Sequence, residues 1–312
     1  MDRINAPTKA RGDETSNKAV DTRANTTESN ERTVIRSSEP SSIAVGGVPP
    51  AVVSDTEAAE GTGLRQALME RCVQSRWSPD PRSMIRFDGQ PSGPGREEFR
   101  ALRARLNLVR ERQRLQKLLI TSALPEEGKT FVAANLAQAV FWQQERQILL
   151  VDGDLRASHL HLALGAPLAP GLSDYLSGNA DEFAIIKRGS QPNFFFIPSG
   201  RTVSNPTELL ENGKLRVLLQ RVASAFDWII IDAPPVVLVP DAKVIAELCD
   251  GVLVVIRAGE TPFDLAQKAY SEFRGKSFLG VVLNRVDARL TYGYHYYYER
   301  KARTAGSNGK KR

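Results

Sequence analysis

The stretch Leu118–Thr130 constrains this chain most: Leu-Leu-Ile-Thr-Ser-Ala-Leu-Pro-Glu-Glu-Gly-Lys-Thr. An apolar run stops at a short loop, and the loop stops at Gly128-Lys129-Thr130. Phe131, Val132, Leu136, Ala139 and Val140 then fall on one helical face. Strand, loop, Gly-Lys-Thr and helix form the plan of a phosphate-binding loop. In such a loop, backbone N–H groups at the helix start offer positive potential to an anion. Lys129 is placed to reach terminal phosphates, and the Thr130 hydroxyl to hold Mg²⁺. The first loop position is Ala123, where the general pattern has Gly.

The surrounding chain suits an α/β domain. Leu118–Thr121, Gln147–Val151, Phe194–Ile197, Trp228–Ile231, Gly251–Ile256 and Leu279–Leu283 are short apolar runs without alternation. Such runs fit strands buried on both faces of a parallel sheet. Helical patterns lie between them, as at Leu215, Leu218, Leu219 and Val222. The expected fold is doubly wound α/β with a mostly parallel sheet. In that fold ligands sit at the carboxyl ends of the strands.

The expected division is 1–62, 63–95, 96–290 and 291–312. Residues 1–62 contain no Leu, Phe, Tyr, Trp or Cys and are read as a disordered extension. Residues 63–95 hold a short helix around Leu64–Trp77 and a Pro- and Gly-rich linker, which Trp77, Met84, Ile85 and Phe87 pin to the domain. A helix follows from Arg96 to about Gln116, with Phe99, Leu102, Leu106 and Val109 as its stripe. Glu97, Arg100 and Arg103 recur beside that stripe. They form either a solvated charged face or a surface for pairing with another subunit.

Two carboxylates lie just past the second strand, Asp152 and Asp154, and Asp232 follows Trp228-Ile-Ile-Ile. Alone, each reads as a helix or turn cap. Beside a phosphate loop they read as the acidic partners of Mg²⁺-ATP. Asp232 is then the metal partner of Thr130, and Asp152 or Asp154 accepts a proton from an incoming hydroxyl.

The net charge of +6 is concentrated at the C-terminus, in Arg300, Lys301, Arg303, Lys310, Lys311 and Arg312. Five of the seven Tyr lie just before this basic end: Tyr292, Tyr294, Tyr296, Tyr297 and Tyr298. Stacking on single-stranded nucleic acid needs a preformed platform, so no nucleic acid is expected. Exposed hydroxyls that enter an ATP site are the better reading. No apolar run approaches the ~20 residues of a membrane span, so a cytoplasmic location is the default. Cys72 and Cys249 match no metal or redox spacing.

These stretches together resemble the bacterial tyrosine kinases of capsular and exopolysaccharide synthesis, over roughly Glu97 to Tyr298. Thr121–Thr130, where Ala at 123 is usual, is similar to that family's phosphate loop. Leu150–Arg156 and Trp228–Pro235 resemble its two acidic motifs. Gly171–Gly178 and Asn205–Leu210 are typical of it too. Glu97, Arg100 and Arg103 fit its Glu-x-x-Arg-x-x-Arg oligomerisation motif. Glu126 departs, standing where the family usually has Gly.

The resemblance implies an ATP- and Mg²⁺-dependent autokinase acting on Tyr292–Tyr298 of a neighbouring subunit. Lys129, Asp152, Asp154 and Asp232 are its catalytic candidates. Ala123, Pro125, Glu127, Gly128, Lys129, Thr130, Phe131 and Asn284 contact the nucleotide, and Thr130, Asp232 and Asp152 hold the metal. It implies a homo-oligomer, a ring among its forms, and a transmembrane polysaccharide co-polymerase that brings the chain to the inner face of the plasma membrane. A partition-type ATPase switch and an ATP-bound adaptor without catalysis are the competing readings.

Overall fold

The computed structural model describes residues 55–85, 95–142, 146–276 and 278–286, with the side chains of 55–60 left aside. Most of the expected N-terminal extension, Phe87, the tyrosine cluster and the basic end lie outside the described residues.

Eight strands form one sheet among the described residues. In chain order they are β1 (Val73–Gln74), β2 (Lys117–Ser122), β3 (Ile148–Asp152), β4 (Lys187–Arg188), β5 (Phe194–Ile197), β6 (Trp228–Asp232), β7 (Gly251–Arg257) and β8 (Phe278–Asn284). Their spatial order is β1-β4-β5-β3-β6-β2-β7-β8. Every neighbouring pair is parallel except β4 with β5. The six apolar runs are the six longer strands. The two-residue strands β1 and β4 are too short to leave a periodic signal.

The sheet is covered on both faces. Residues alternate across it: Leu119, Leu149, Val151, Ile229, Ile231, Val252 and Val254 belong to one core cluster. Leu118, Ile120, Ile148, Leu150, Trp228, Ile230, Leu253 and Val255 belong to the other. Both sides are apolar because both are buried, which is why the runs lack alternation. The second face carries α2 (Arg96–Arg112), α3 (Lys129–Phe141) and α4 (Leu160–Leu164). The first carries α1 (Asp55–Arg71), α5 (Leu172–Leu176), α6 (Glu182–Ile185), α7 (Pro206–Glu211), α8 (Lys214–Ala223), α9 (Asp241–Ala246) and α10 (Phe263–Ser271). The expected doubly wound sheet is present.

Two boundaries differ from expectation. The helix expected inside 63–95 starts at Asp55, so residues 55–62 are helical. Tertiary contact supports it. Leu68 and Cys72 enter the core, Arg65 Nε donates to Ala225 O at 2.9 Å, and a Cβ at Gly61 would meet Ser224 O at 2.4 Å. The helix expected to reach Gln116 ends at Arg112. Asp250 Oδ2 accepts the N–H groups of Gln116 (3.0 Å) and Lys117 (2.7 Å), which draws the chain into β2. The linker residues Trp77, Met84 and Ile85 pack on the core as expected.

Candidate functional site

Parallel register sets the acidic end of the sheet. Asp152 at the end of β3 pairs directly with Asp232 at the end of β6. Val151 and Ile231 face the first core, so each aspartate emerges on the face that bears α3. Ile120 of β2 stands beside Asp232, and the loop leaves β2 two residues later. The strands thus bring the phosphate loop and both carboxylates to one place.

The loop owes its shape to Glu126, Glu127 and Gly128. Ala123 is fully buried in the core and has no positive φ, so glycine is not needed there. Glu126 is the position that needs it: its φ is 62°. Its carboxylate is exposed, so the departure at 126 is a matter of backbone strain. Gly128, with φ 94°, has room for nothing more, since a Cβ would lie 2.1 Å from Asn284 Nδ2. Glu127 is 2% exposed, and its Oε2 accepts the Leu124 N–H at 2.7 Å. Asn284 Nδ2 donates to the Glu127 carbonyl at 2.8 Å, which brings the end of β8 to the loop. Pro125 is exposed.

In α3 the first ladder bond runs from the Val132 N–H to Gly128 O at 2.9 Å. The N–H groups of Lys129, Thr130 and Phe131 precede that ladder and have no intrahelical acceptor. The Phe131 ring packs on Phe99 of α2, centroids 5.8 Å apart, which leaves its N–H as the group it can offer an anion.

Lys129 Nζ rests 2.8 Å from Asp154 Oδ2 and 3.8 Å from Asp232 Oδ1. Burial lowers the ammonium pKa, but Asp232, Asp154 and Asp152 outweigh it and raise the value. Lys129 therefore stays cationic. Thr130 Oγ1 donates to Asp232 Oδ2 at 2.6 Å. Asp232 Oδ1 is buried and accepts no hydrogen bond. Such an atom is costly unless a cation completes it. Thr130 and Asp232 together are a hard-oxygen donor pair that fits Mg²⁺.

Asp152 and Asp154 differ sharply. Asp152 is 0% exposed; burial, then the Asp232 charge, pushes its pKa up to about 7. Its Oδ2 accepts from Ser158 Oγ at 2.7 Å. Burial also acts on Asp154, but Lys129 and the N–H groups of Ala157 and Arg156 hold its pKa below the usual range. Asp152 suits a proton acceptor, and Asp154 suits a fixed anion that positions Lys129.

One network around the buried Asp241 has no counterpart in the sequence reading. Arg156 donates to Asp241 through Nε (2.7 Å) and Nη2 (3.1 Å), and to Thr207 Oγ1 at 2.9 Å. Thr207 Oγ1 donates to Asp241 Oδ1 at 2.6 Å. It ties the loop after Asp154 to α7 and α9. Its members span 85 positions, so only folding reveals it.

On α2, Glu97 and Arg100 are exposed and pair with each other at 2.5 Å. Arg103 is not on that free face: it is half-buried and Nη1 donates to Ala139 O at 2.7 Å. It joins α2 to α3. The tyrosines from Tyr292 to Tyr298 lie outside the described residues.

No family model matches the chain. It is 37% identical over 215 residues to the tyrosine-protein kinase CpsD of Streptococcus agalactiae, covering 66% of this chain and 91% of that one. The kinase domain of Escherichia coli tyrosine kinase ETK superposes with a TM-score of 0.60 at 30% identity, over 64% of this chain and 80% of that one. The chimerical protein CapA2B2 gives 0.62 at 28%, over 72% and 98%. The chain belongs to the bacterial tyrosine-protein kinases.

Proposed function

We propose that this kinase transfers the terminal phosphoryl group of ATP to its own tyrosine cluster, Tyr292 to Tyr298, on a neighbouring copy. The observation that carries the reading is the convergence of Lys129, Thr130, Asp152, Asp154 and Asp232 at the end of the phosphate loop. The N–H groups of residues 129–131 and Gly128 hold the phosphates, with Ala123, Pro125 and Glu127 shaping the loop and Asn284 beside it. Lys129 exchanges Asp154 for phosphate oxygens and stabilises charge on the group in flight. Mg²⁺, when held by Thr130 and Asp232 with Asp152 behind them, neutralises phosphate charge. Asp152 takes the proton of the attacking tyrosine.

Each phosphotyrosine adds about −1.5 to −2 charges. Several in one tail repel one another and the acidic site, so phosphorylation loosens the assembly. That assembly is a homo-oligomer joined at the Glu97–Arg100 face of α2. Among the described residues no helix is long and apolar enough to cross a membrane. A transmembrane co-polymerase of polysaccharide synthesis is the proposed partner, activating the chain at the inner face of the plasma membrane. The test is incubation with Mg²⁺ and ATP, with phosphate mapped by mass spectrometry. Phosphate on Tyr292–Tyr298 is expected. Free phosphate alone would make the chain an ATPase switch.

A further inference from the structure

We infer that Thr261, which no motif marks, is a positioning residue for the nucleotide: it locks the phosphate loop through Glu127. This rests on the ATP reading above. The turn after β7 brings Thr261 to the loop from 134 positions away. Its hydroxyl accepts the Arg257 N–H at 3.1 Å. An N–H can only donate, so the hydroxyl proton is directed elsewhere, and it goes to Glu127 Oε1 in a short contact.

Glu127 is almost fully buried and has one donor for each oxygen, Thr261 on Oε1 and Leu124 N–H on Oε2. Its carbonyl takes Asn284 Nδ2, and the Asn284 carbonyl takes the Ala258 N–H at 2.9 Å. The circuit closes from the β7–α10 turn, through the end of β8, to the phosphate loop and back. Its last member stands directly before Gly128 and the N–H groups that face phosphate.

Without the Thr261 proton, a buried carboxylate oxygen loses its donor, which costs more than a surface hydrogen bond. Glu127 then leaves its pocket and releases Leu124. The loop spends less time in the form that presents its amides, and affinity falls by that fraction. A residue that only supported the fold would lower melting temperature without this selective loss.

The test is calorimetric titration of the full chain with Mg²⁺-ADP, alongside melting without nucleotide. Thr261→Val is expected to bind about tenfold more weakly, and Thr261→Ser, which keeps the donor, within about twofold of wild type. In phosphorylation assays KM for ATP rises and kcat at saturation holds within about threefold. Glu127→Gln either meets the Leu124 N–H with an amide N–H or makes Thr261 give up the proton it donates, and in both cases weakens binding similarly. Combining it with Thr261→Val adds nothing further, because both break one contact. Should Thr261→Val melt too low to titrate, Glu127→Gln and Thr261→Ser decide alone. Wild-type affinity in Thr261→Val or in Glu127→Gln overturns the lock while leaving the kinase reading intact. No binding by the wild type overturns both.

Discussion

The phosphate-loop site and the exposed face of α2 are both charged, and they are built on opposite terms. In the site Asp152, Asp154 and Asp232 are buried, the Lys129 side chain is 11% exposed, and nearly every polar atom has a fixed partner. On α2, Glu97 and Arg100 stand in solvent and pair with each other. Arg103 lies between the two, half-buried and tied to Ala139 O. Water screens the second region and not the first, so equal changes in charge should have unequal effects.

The largest effect is expected at Lys129. Lys129→Ala should cut the autophosphorylation rate by about 10³-fold or more, read from the time course of phosphotyrosine. Next comes Asp152→Asn, expected to slow phosphorylation about 10²- to 10⁴-fold. It should also stabilise the nucleotide-free protein. The folded-state pKa of Asp152 is raised to about 7 from 3.8, so between those values the folded chain holds a proton that the unfolded chain has released. Stability therefore falls as pH rises through that window. The gain from Asp152→Asn should be small near pH 4 and on the order of 2–4 kcal/mol above pH 7, by denaturant titration at both. An equal gain at both pH values would contradict the buried charge.

Glu126 marks how far sequence alone carried. The fold and the acidic end were legible, because four-residue apolar runs ending in Asp152 and Asp232 predict strands that deliver carboxylates to one edge. The reason for Gly at 126 was not, since a positive φ leaves no trace in composition. Neither were the partners of Glu127, Asp241 and Arg103, since side-chain contacts across tens of positions follow from packing. Arg103 and Arg100 look alike in the Glu-x-x-Arg-x-x-Arg run of α2, and only the position of α3 separates them.

Smaller effects probe that separation. Arg103→Ala should destabilise by about 1–2 kcal/mol, through the lost bond to Ala139 and lost packing. Glu126→Gly should stabilise by about 0.5–1 kcal/mol by relieving the left-handed backbone, with ATP affinity kept. Glu97→Ala with Arg100→Ala should shift unfolding by no more than about 0.5 kcal/mol, yet lower the oligomer mass in light scattering. A fold as sensitive to the Glu97–Arg100 pair as to Arg103 would erase the contrast.

The most direct measurement mixes two full-length chains with Mg²⁺ and ATP. One carries Lys129→Ala and an intact tail; the other is active, with Tyr292, Tyr294, Tyr296, Tyr297 and Tyr298 changed to Phe. Phosphate is expected on the tail tyrosines of the Lys129→Ala chain, mapped by mass spectrometry. A tail that stays unmodified there, while active wild type phosphorylates its own, would contradict transfer between copies.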